Sequence, residues 1–208
     1  MRSIQAAACL GMAALLTACA TTDSDHFYTL NGPVAAGAAA SSASTAAPAA
    51  GPAAGQVYIE MLAVNVPAQV KRKELVVTTG AGRVDMLDHH RWIGPLADEI
   101  GHALSLQVSG ELGAIDVYRT PYPQGAAPFR ISTNVQRFES VLGQYALIDA
   151  TWSVRQVGSE AVLTCRSVLR EPVGQGYEAL VTGHRAALGK LAHAIAAAVR
   201  KGQGASCP

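Results

Sequence analysis

The stretch Tyr145–Gln156, YALIDATWSVRQ, decides the fold. Apolar side chains recur at every second position, and polar ones occupy most positions between them. The apolar positions are Ala146, Ile148, Ala150, Trp152 and Val154, and the polar ones are Asp149, Thr151, Ser153 and Arg155. Successive side chains of a β-strand point to opposite faces. The alternation therefore predicts a strand of an antiparallel sheet, with one face on the core and the other in water.

Two similar segments lie on either side of this strand. Residues Phe129 to Phe138 alternate in the same way before it, and Ala161 to Leu169 follow it after a Gly158-Ser159 turn. Three strands in sequence with short connections predict an antiparallel meander.

Apolar residues recur at helical spacing in two longer segments. The first helix is predicted from about Gly94 to Leu112 and the second from about Tyr177 to Arg200. The predicted stripes are Leu96, Ile100, Ala103, Leu104 and Val108 in the first, and Leu180, Val181, Leu188, Leu191, Ile195 and Val199 in the second. A single apolar stripe on each helix predicts packing against a sheet.

Further strands are predicted nearer the N-terminus. Gln56 to Val66 forms one, and Glu74 to Thr79 with Arg83 to Leu87 forms a hairpin that turns at Gly80-Ala81-Gly82. His26 to Leu30 and Ile115 to Tyr118 are short strands. The sequence thus predicts an α/β (α+β) fold, in which a mixed, largely antiparallel β-sheet carries two main helices.

The chain divides into a small number of regions. Residues 31–55 contain only Ala, Gly, Ser, Thr, Pro, Val and Asn, with no charge, which predicts a flexible linker looping out between two strands. It separates the spacer and first strand, 19–30, from a single domain, 56–201, and a tail follows at 202–208.

The first 18 residues have the layout of a secretory signal peptide. Arg2 precedes an apolar run that ends at Leu16 and is too short to span a membrane as a helix. Leu16-Thr17-Ala18-Cys19 resembles the lipobox of bacterial lipoproteins. The resemblance implies cleavage before Cys19 and fatty acylation, by palmitate-type chains, of its thiol and its freed amine. An ordinary secretory cut before Ala20 or Thr21 remains the alternative.

The remaining 190 residues have balanced charge. The whole chain carries 16 basic and 15 acidic residues, and Arg2 is the one charged residue of the signal, which leaves 15 of each. A nucleic-acid partner would require a basic surface, so none is predicted. Cys165 and Cys207 would lie in an oxidising compartment, where they either pair as a disulfide or stay as two thiols.

No catalytic or metal-binding pattern stands out in the sequence. The adjacent pair His89-His90 has no third ligand at useful spacing and is interpreted as part of a solvated loop. Sequence signatures of hydrolases and metalloproteases are missing. The chain is therefore predicted not to be an enzyme, and no cofactor is expected apart from the covalent lipid on Cys19.

Several segments, taken in order, resemble a known family. They are Tyr28-Thr29-Leu30, Val57-Tyr58-Ile59-Glu60, Arg91-Trp92 ahead of Pro95-Leu96, Arg137-Phe138-Glu139, Ala150-Thr151-Trp152-Ser153-Val154, and the end of the last helix at 191–196. Together they resemble the ABC-type transport auxiliary lipoproteins of the PqiC/YmbA type. The linker is longer than is typical of that family, and residues 70–75 lack its Asp-Arg-Pro pattern.

The resemblance implies both a fold and a function. The fold would be similar to the N-terminal domain of TolB. The protein would sit at the periplasmic face of the outer membrane, since Ala20 rather than Asp follows Cys19. It would serve an ABC transport system that moves phospholipid between the membranes and maintains membrane integrity. Its partner there would be a mammalian-cell-entry (MCE) protein, and members of the family form homo-oligomeric rings.

Two questions stay open at this level. Arg91 and Trp92 either contact a partner or lipid headgroup, or Trp92 fills the seam between sheet and helix. The protein could instead be a structural or assembly lipoprotein of another outer-membrane complex. A periplasmic hydrolase is the third hypothesis, and it requires a nucleophile and a base that meet in a cleft.

Overall fold

The computed structural model describes residues 24–32, 55–80 and 82–207. The predicted signal peptide, the lipobox with Cys19, and most of the predicted linker lie outside these residues. In chain order the elements are β1 (His26–Tyr28), β2 (Tyr58–Met61), β3 (Glu74–Gly80), β4 (Arg83–Trp92), α1 (Leu96–Leu112), β5 (Ile115–Asp116), β6 (Phe129–Val141), β7 (Tyr145–Gln156), β8 (Leu163–Pro172) and α2 (Tyr177–Lys201).

The larger of two sheets contains the predicted meander. Its strand order is β5-β2-β6-β7-β8, in which β6, β7 and β8 are antiparallel and β2 runs parallel to both of its neighbours. Trp152 on β7 lies between Thr133 on β6 and Cys165 on β8. The alternation in β7 places Trp152 in the core, where it is 1% exposed.

Both helices pack on this sheet through the predicted stripes. All the predicted stripe residues of α1 and α2 are buried. Helix α1 ends where Gly113 adopts the left-handed conformation, with φ of 60°, which a glycine accepts without strain. Helix α2 packs closely at Gly183, where a β-carbon would lie 2.4 Å from the Val173 side chain and 2.9 Å from that of Ala146 on β7.

The second sheet is smaller and was not expected as a separate unit. Its order is β1-β4-β3, with β4 antiparallel to β3 and parallel to β1. Strand β4 runs on to Trp92, five residues beyond the predicted end, because β1 supplies a hydrogen-bonding partner from a distant part of the chain. His89 and His90 are therefore strand residues, and their interpretation as a solvated loop is wrong.

One hydrophobic core joins the two sheets and the two helices. It includes Leu30, Leu75 and Trp92 from the side of the small sheet, and residues of the large sheet and both helices such as Ile100, Ile131, Ile148, Trp152, Leu188 and Ile195. The predicted fold class is confirmed as mixed α+β. Strand β2 is shorter than predicted, because after Met61 only scattered bonds, such as Asn65 N–H to the Thr133 carbonyl at 3.2 Å, continue its pairing with β6.

Candidate functional site: the docked N-terminal segment

Residues 24–32, here called the N-terminal segment, begin five positions after the predicted lipid site Cys19. The segment contributes strand β1 to the small sheet. The next residues leave the sheet and enter the interior, where Leu30 is 0% exposed. Among the described residues, those nearest the predicted anchor therefore lead from the surface directly into the core.

Glu99 in the first turn of α1 binds this segment from one side. Its Oε2 accepts hydrogen bonds from the Thr29 hydroxyl at 2.7 Å and the Leu30 N–H at 2.9 Å, and a longer one from the Asn31 side-chain amide at 3.3 Å. The residue is only 7% exposed. Hydrogen bonds to an ionised acceptor are stronger than neutral ones, so a single carboxylate holds three consecutive residues.

Arg185 of α2 binds the same segment from the other side. Its Nε and Nη2 both donate to the Thr29 carbonyl, at 3.1 and 2.6 Å. Gly32 lies against this guanidinium, and a β-carbon there would come within 2.6 Å of Nη2. Together Glu99 and Arg185 satisfy backbone groups that burial removes from water.

A cluster of rings fixes the beginning of the segment. The Tyr28 hydroxyl forms a 2.8 Å hydrogen bond with Nδ1 of His90, whose ring packs 4.9 Å from His26 and 4.0 Å from Tyr177, measured between ring centroids. Partial burial and the nearby Glu178 carboxylate raise the pKa of Tyr28 above its ordinary value of 10. The N-terminal segment is therefore held by β4, α1 and α2 at once.

An open groove of about 630 Å³ lies beside this contact. Its lining includes Asn31, Asp98, His102, Asp116 and Arg119. The Asp116 carboxylate is occupied, since it accepts bonds from the Ser105 hydroxyl at 2.6 Å and from two backbone N–H groups. An open surface that mixes polar and apolar side chains fits a macromolecular contact better than the enclosed apolar pocket typical of small ligands.

Ser140 and His184 form the one serine–histidine pair seen in residues 24–32, 55–80 and 82–207. Ser140 Oγ and His184 Nε2 lie 2.8 Å apart, and the imidazole stacks on Phe138 with 3.8 Å between ring centroids. Burial lowers the pKa of His184 to about 3, and its Nδ1 has no hydrogen-bond partner. His184 is 0% exposed and Ser140 3%, so the pair has neither access to a substrate nor an acid that orients the base.

The structure separates the two residues predicted as a partner contact. Trp92 is 3% exposed and meets the Phe138 ring edge-on at 6.1 Å, so of the two alternatives left open for this residue, its burial excludes a partner contact by the indole. Its neighbour Arg91 is half-buried and donates from Nε to the Asp88 carbonyl at 2.8 Å. Strand alternation explains the difference, because adjacent residues face opposite sides of the sheet.

The remaining predicted site residues fall into two groups. Cys19, with Leu16, Thr17 and Ala18, lies outside the described residues. Cys165 and Cys207 form a disulfide with 5.5 Å between their Cα atoms, which joins strand β8 to the C-terminal tail. No group of three or more His, Cys, Asp and Glu side chains suited to a metal ion occurs in the described part of the chain.

Sequence patterns did not single out the residues that hold the N-terminal segment. In the sequence, Glu99 stands out only as one of two acids in the first turn of a helix, and Arg185 is one of several charged residues on the last helix. The signal available was weak: Thr29-Leu30-Asn31 combines one apolar residue with polar neighbours directly after a strand. Their contacts join residues 68 to 156 positions apart, which no local pattern reports.

We expect Glu99→Ala to release the N-terminal segment locally. The substitution leaves two N–H donors and a hydroxyl without their acceptor, which costs about 2–3 kcal/mol of local stability. Amide hydrogen exchange at Leu30 would then accelerate, by roughly 30- to 150-fold on that free-energy difference. The matched control is Asp98→Ala, which removes the other acid of the same helical turn. Equal exchange at Leu30 in both variants would contradict the role given to Glu99.

Structural comparison supports the fold. An uncharacterized protein with a crystal structure matches with a TM-score of 0.63 at 16% identity, over 84% of this chain and 98% of its own. Protein XCC0632 from Xanthomonas campestris, of family DUF330, matches with a TM-score of 0.52 at 13% identity, over 68% of this chain and 81% of its own. No curated protein matches by sequence.

Sequence comparison establishes the family. Among the residues the structure describes, no helix has the length and apolar character needed to cross a membrane. Residues 39–196, about three quarters of the chain, match the family described as the ABC-type transport auxiliary lipoprotein component. The resemblance drawn from the sequence is thereby confirmed. The chain belongs to the family of ABC-type transport auxiliary lipoprotein components.

Proposed function

We propose that this protein is a lipid-anchored, non-enzymatic component of an intermembrane phospholipid transport system. The acylated Cys19 holds it on the inner leaflet of the outer membrane. From there the domain faces the periplasm and binds an MCE-domain protein of an ABC transport system, as a homo-oligomeric ring. It acts by binding rather than by catalysis and so contributes to membrane integrity.

One observation carries this proposal beyond the family description. The N-terminal segment, which is the described segment nearest Cys19, is held by Glu99 and Arg185, each from a different helix, and by burial of Leu30 in the core. A lipid on Cys19 would therefore position the whole domain rather than a loose tail. An auxiliary protein that works by docking requires such a fixed relation between its anchor and its binding surfaces.

The anchor is tested by replacing the acylated thiol. We expect Cys19→Ala to lose the lipid adduct in mass spectrometry and to prevent normal processing, because the thioether bond requires sulfur. The matched control is Cys9→Ala, which also removes one thiol from the precursor but leaves the lipobox intact. A Cys19→Ala chain that is processed and retained in the outer-membrane fraction like wild type would overturn the anchor.

The partner is tested in intact cells. A photo-crosslinking residue placed at exposed positions of the groove, such as Arg119, is expected to trap an MCE-domain protein. The same residue at Val162, exposed at the far edge of the large sheet, serves as the control. Crosslinks to an outer-membrane assembly machine, and none to an MCE-domain protein from any position, would favour the alternative assembly role.

A further inference from the structure

The outer face of the small sheet carries a row of exposed apolar side chains. Strand pairing places Phe27 beside Arg91, Val76 beside Met86, and Thr78 beside Val84. Paired residues on neighbouring strands share a face. Ile93 continues the row, two residues after Arg91 on the same side, and its N–H bonds the Tyr28 carbonyl at 2.8 Å.

These side chains are more exposed than a structural role requires. Phe27 is 57% exposed, Met86 56%, Ile93 58% and Val84 49%. The opposite side of the same strands holds Leu75, Val77 and Trp92, all at 5% or less. The small sheet therefore has one face in the core and one open face, on which these exposed apolar side chains lie together with Glu74, Thr78 and Arg91. Exposed apolar side chains grouped in this way mark an interaction surface.

Basic side chains border this face. Lys71, Arg72 and Lys73 occupy the turn before β3, and the Arg72 guanidinium contacts the Met86 sulfur. The charged end of Arg72, rather than its aliphatic stem, therefore lies against Met86 at the border of this face. Acidic Glu74, Asp85 and Asp88 nearly balance these charges, so the contact would be mainly apolar.

The short stretch of chain between Cys19 and this face indicates that a lipid surface covers it. Phe27 follows Cys19 by eight residues, which span at most roughly 28 Å even when fully extended. The clamp on Thr29, Leu30 and Asn31 prevents β1 from swinging away. A short tether also holds the face at a millimolar effective concentration near the bilayer, so a weak intrinsic affinity is sufficient.

We infer that the outer face of the small sheet, through Phe27, Val84, Met86 and Ile93, rests on the lipid surface to which Cys19 is anchored. This inference rests on the lipid anchor of the proposed function. It adds a second membrane contact, made by the folded domain itself, which orients the domain and leaves the large sheet and the groove beside α1 for protein partners.

The test uses the full lipidated protein in vesicles of phosphatidylethanolamine and phosphatidylglycerol. Met86→Cys and, separately, Phe27→Cys are labelled with an environment-sensitive fluorophore. The native thiols do not interfere, because Cys19 is acylated and Cys165 is paired with Cys207. The matched control is Val168→Cys, at 54% exposure on an edge strand of the other sheet.

We expect a blue shift and a loss of emission with spin-labelled lipids at positions 27 and 86 but not at 168. Equal signals at all three positions, with the protein floating with the vesicles, would overturn the inference and leave the anchor intact. A change at 86 that persists in detergent and grows with protein concentration would indicate a second copy on this face and would also overturn it. Failure of the acylated protein to float would overturn the anchor and the inference together.

Discussion

Replacing Cys207 with serine is expected to lower the free energy of unfolding by about 4 kcal/mol. The Cys165–Cys207 disulfide closes a loop of 42 residues, which includes the rest of β8 and the whole of α2. Without the bond the unfolded chain regains the entropy that the loop had removed. The loss would appear as a lower denaturant midpoint in urea unfolding followed by circular dichroism.

A reduction experiment provides the control for this prediction. Dithiothreitol is expected to shift the midpoint of the wild-type protein toward that of Cys207→Ser and to leave the variant unchanged. Cys165 itself is 3% exposed and packs as a small apolar residue in the variant, so the core is preserved. A variant whose stability in oxidising conditions equals that of the wild type would show that the bond contributes nothing.

Acidification from pH 7 to pH 5 is expected to cost about 2 kcal/mol of stability through His184 alone. Burial lowers the pKa of this imidazole to about 3 from an ordinary 6.5. Between these two pH values, the imidazole is therefore protonated in the unfolded state but not in the folded state. Its contribution to stability is complete above pH 6.5 and is lost progressively as the pH falls toward 3.

The window from pH 5 to 7 separates this effect from that of the carboxylates. The Arg166 guanidinium lowers the pKa of Asp149 below 3.8, so its contribution is retained until the pH falls below that value. Unfolding in urea at several pH values measures the slope. The double variant Ser140→Ala/His184→Phe replaces both hydrogen-bonding partners and keeps a ring on Phe138, and we expect a flatter slope.

His193→Gln is the matched control for the acid prediction. His193 lies on the same helix as His184, but its side chain is 72% exposed and pairs with Glu111. Comparing this variant with the double variant distinguishes the buried histidine from an exposed histidine of the same helix. If His193→Gln flattened the slope as much as the double variant, buried His184 would not be the source of the acid sensitivity.

The sequence predicted correctly those strands and helices whose apolar side chains recur at a regular spacing. The alternation in β7 and the apolar stripes of α1 and α2 correspond to the buried faces in the structure. The strand boundaries that were predicted wrongly are those set by pairing with a strand from a distant part of the chain. Strand β4 extends to Trp92 because β1 pairs with it, and β2 stops early because its later residues find only scattered bonds on β6.

The sequence by itself determined the fold class, the two helices, the meander and the family, because each follows from side-chain spacing within a short stretch or from an ordered set of such stretches. Only the tertiary structure decided that there are two sheets, that Trp92 is buried, and that Glu99 and Arg185 meet at the N-terminal segment. Such contacts arise from the packing of elements that are far apart in the chain. Nothing in the sequence around a carboxylate or a guanidinium indicates which backbone group it will bind.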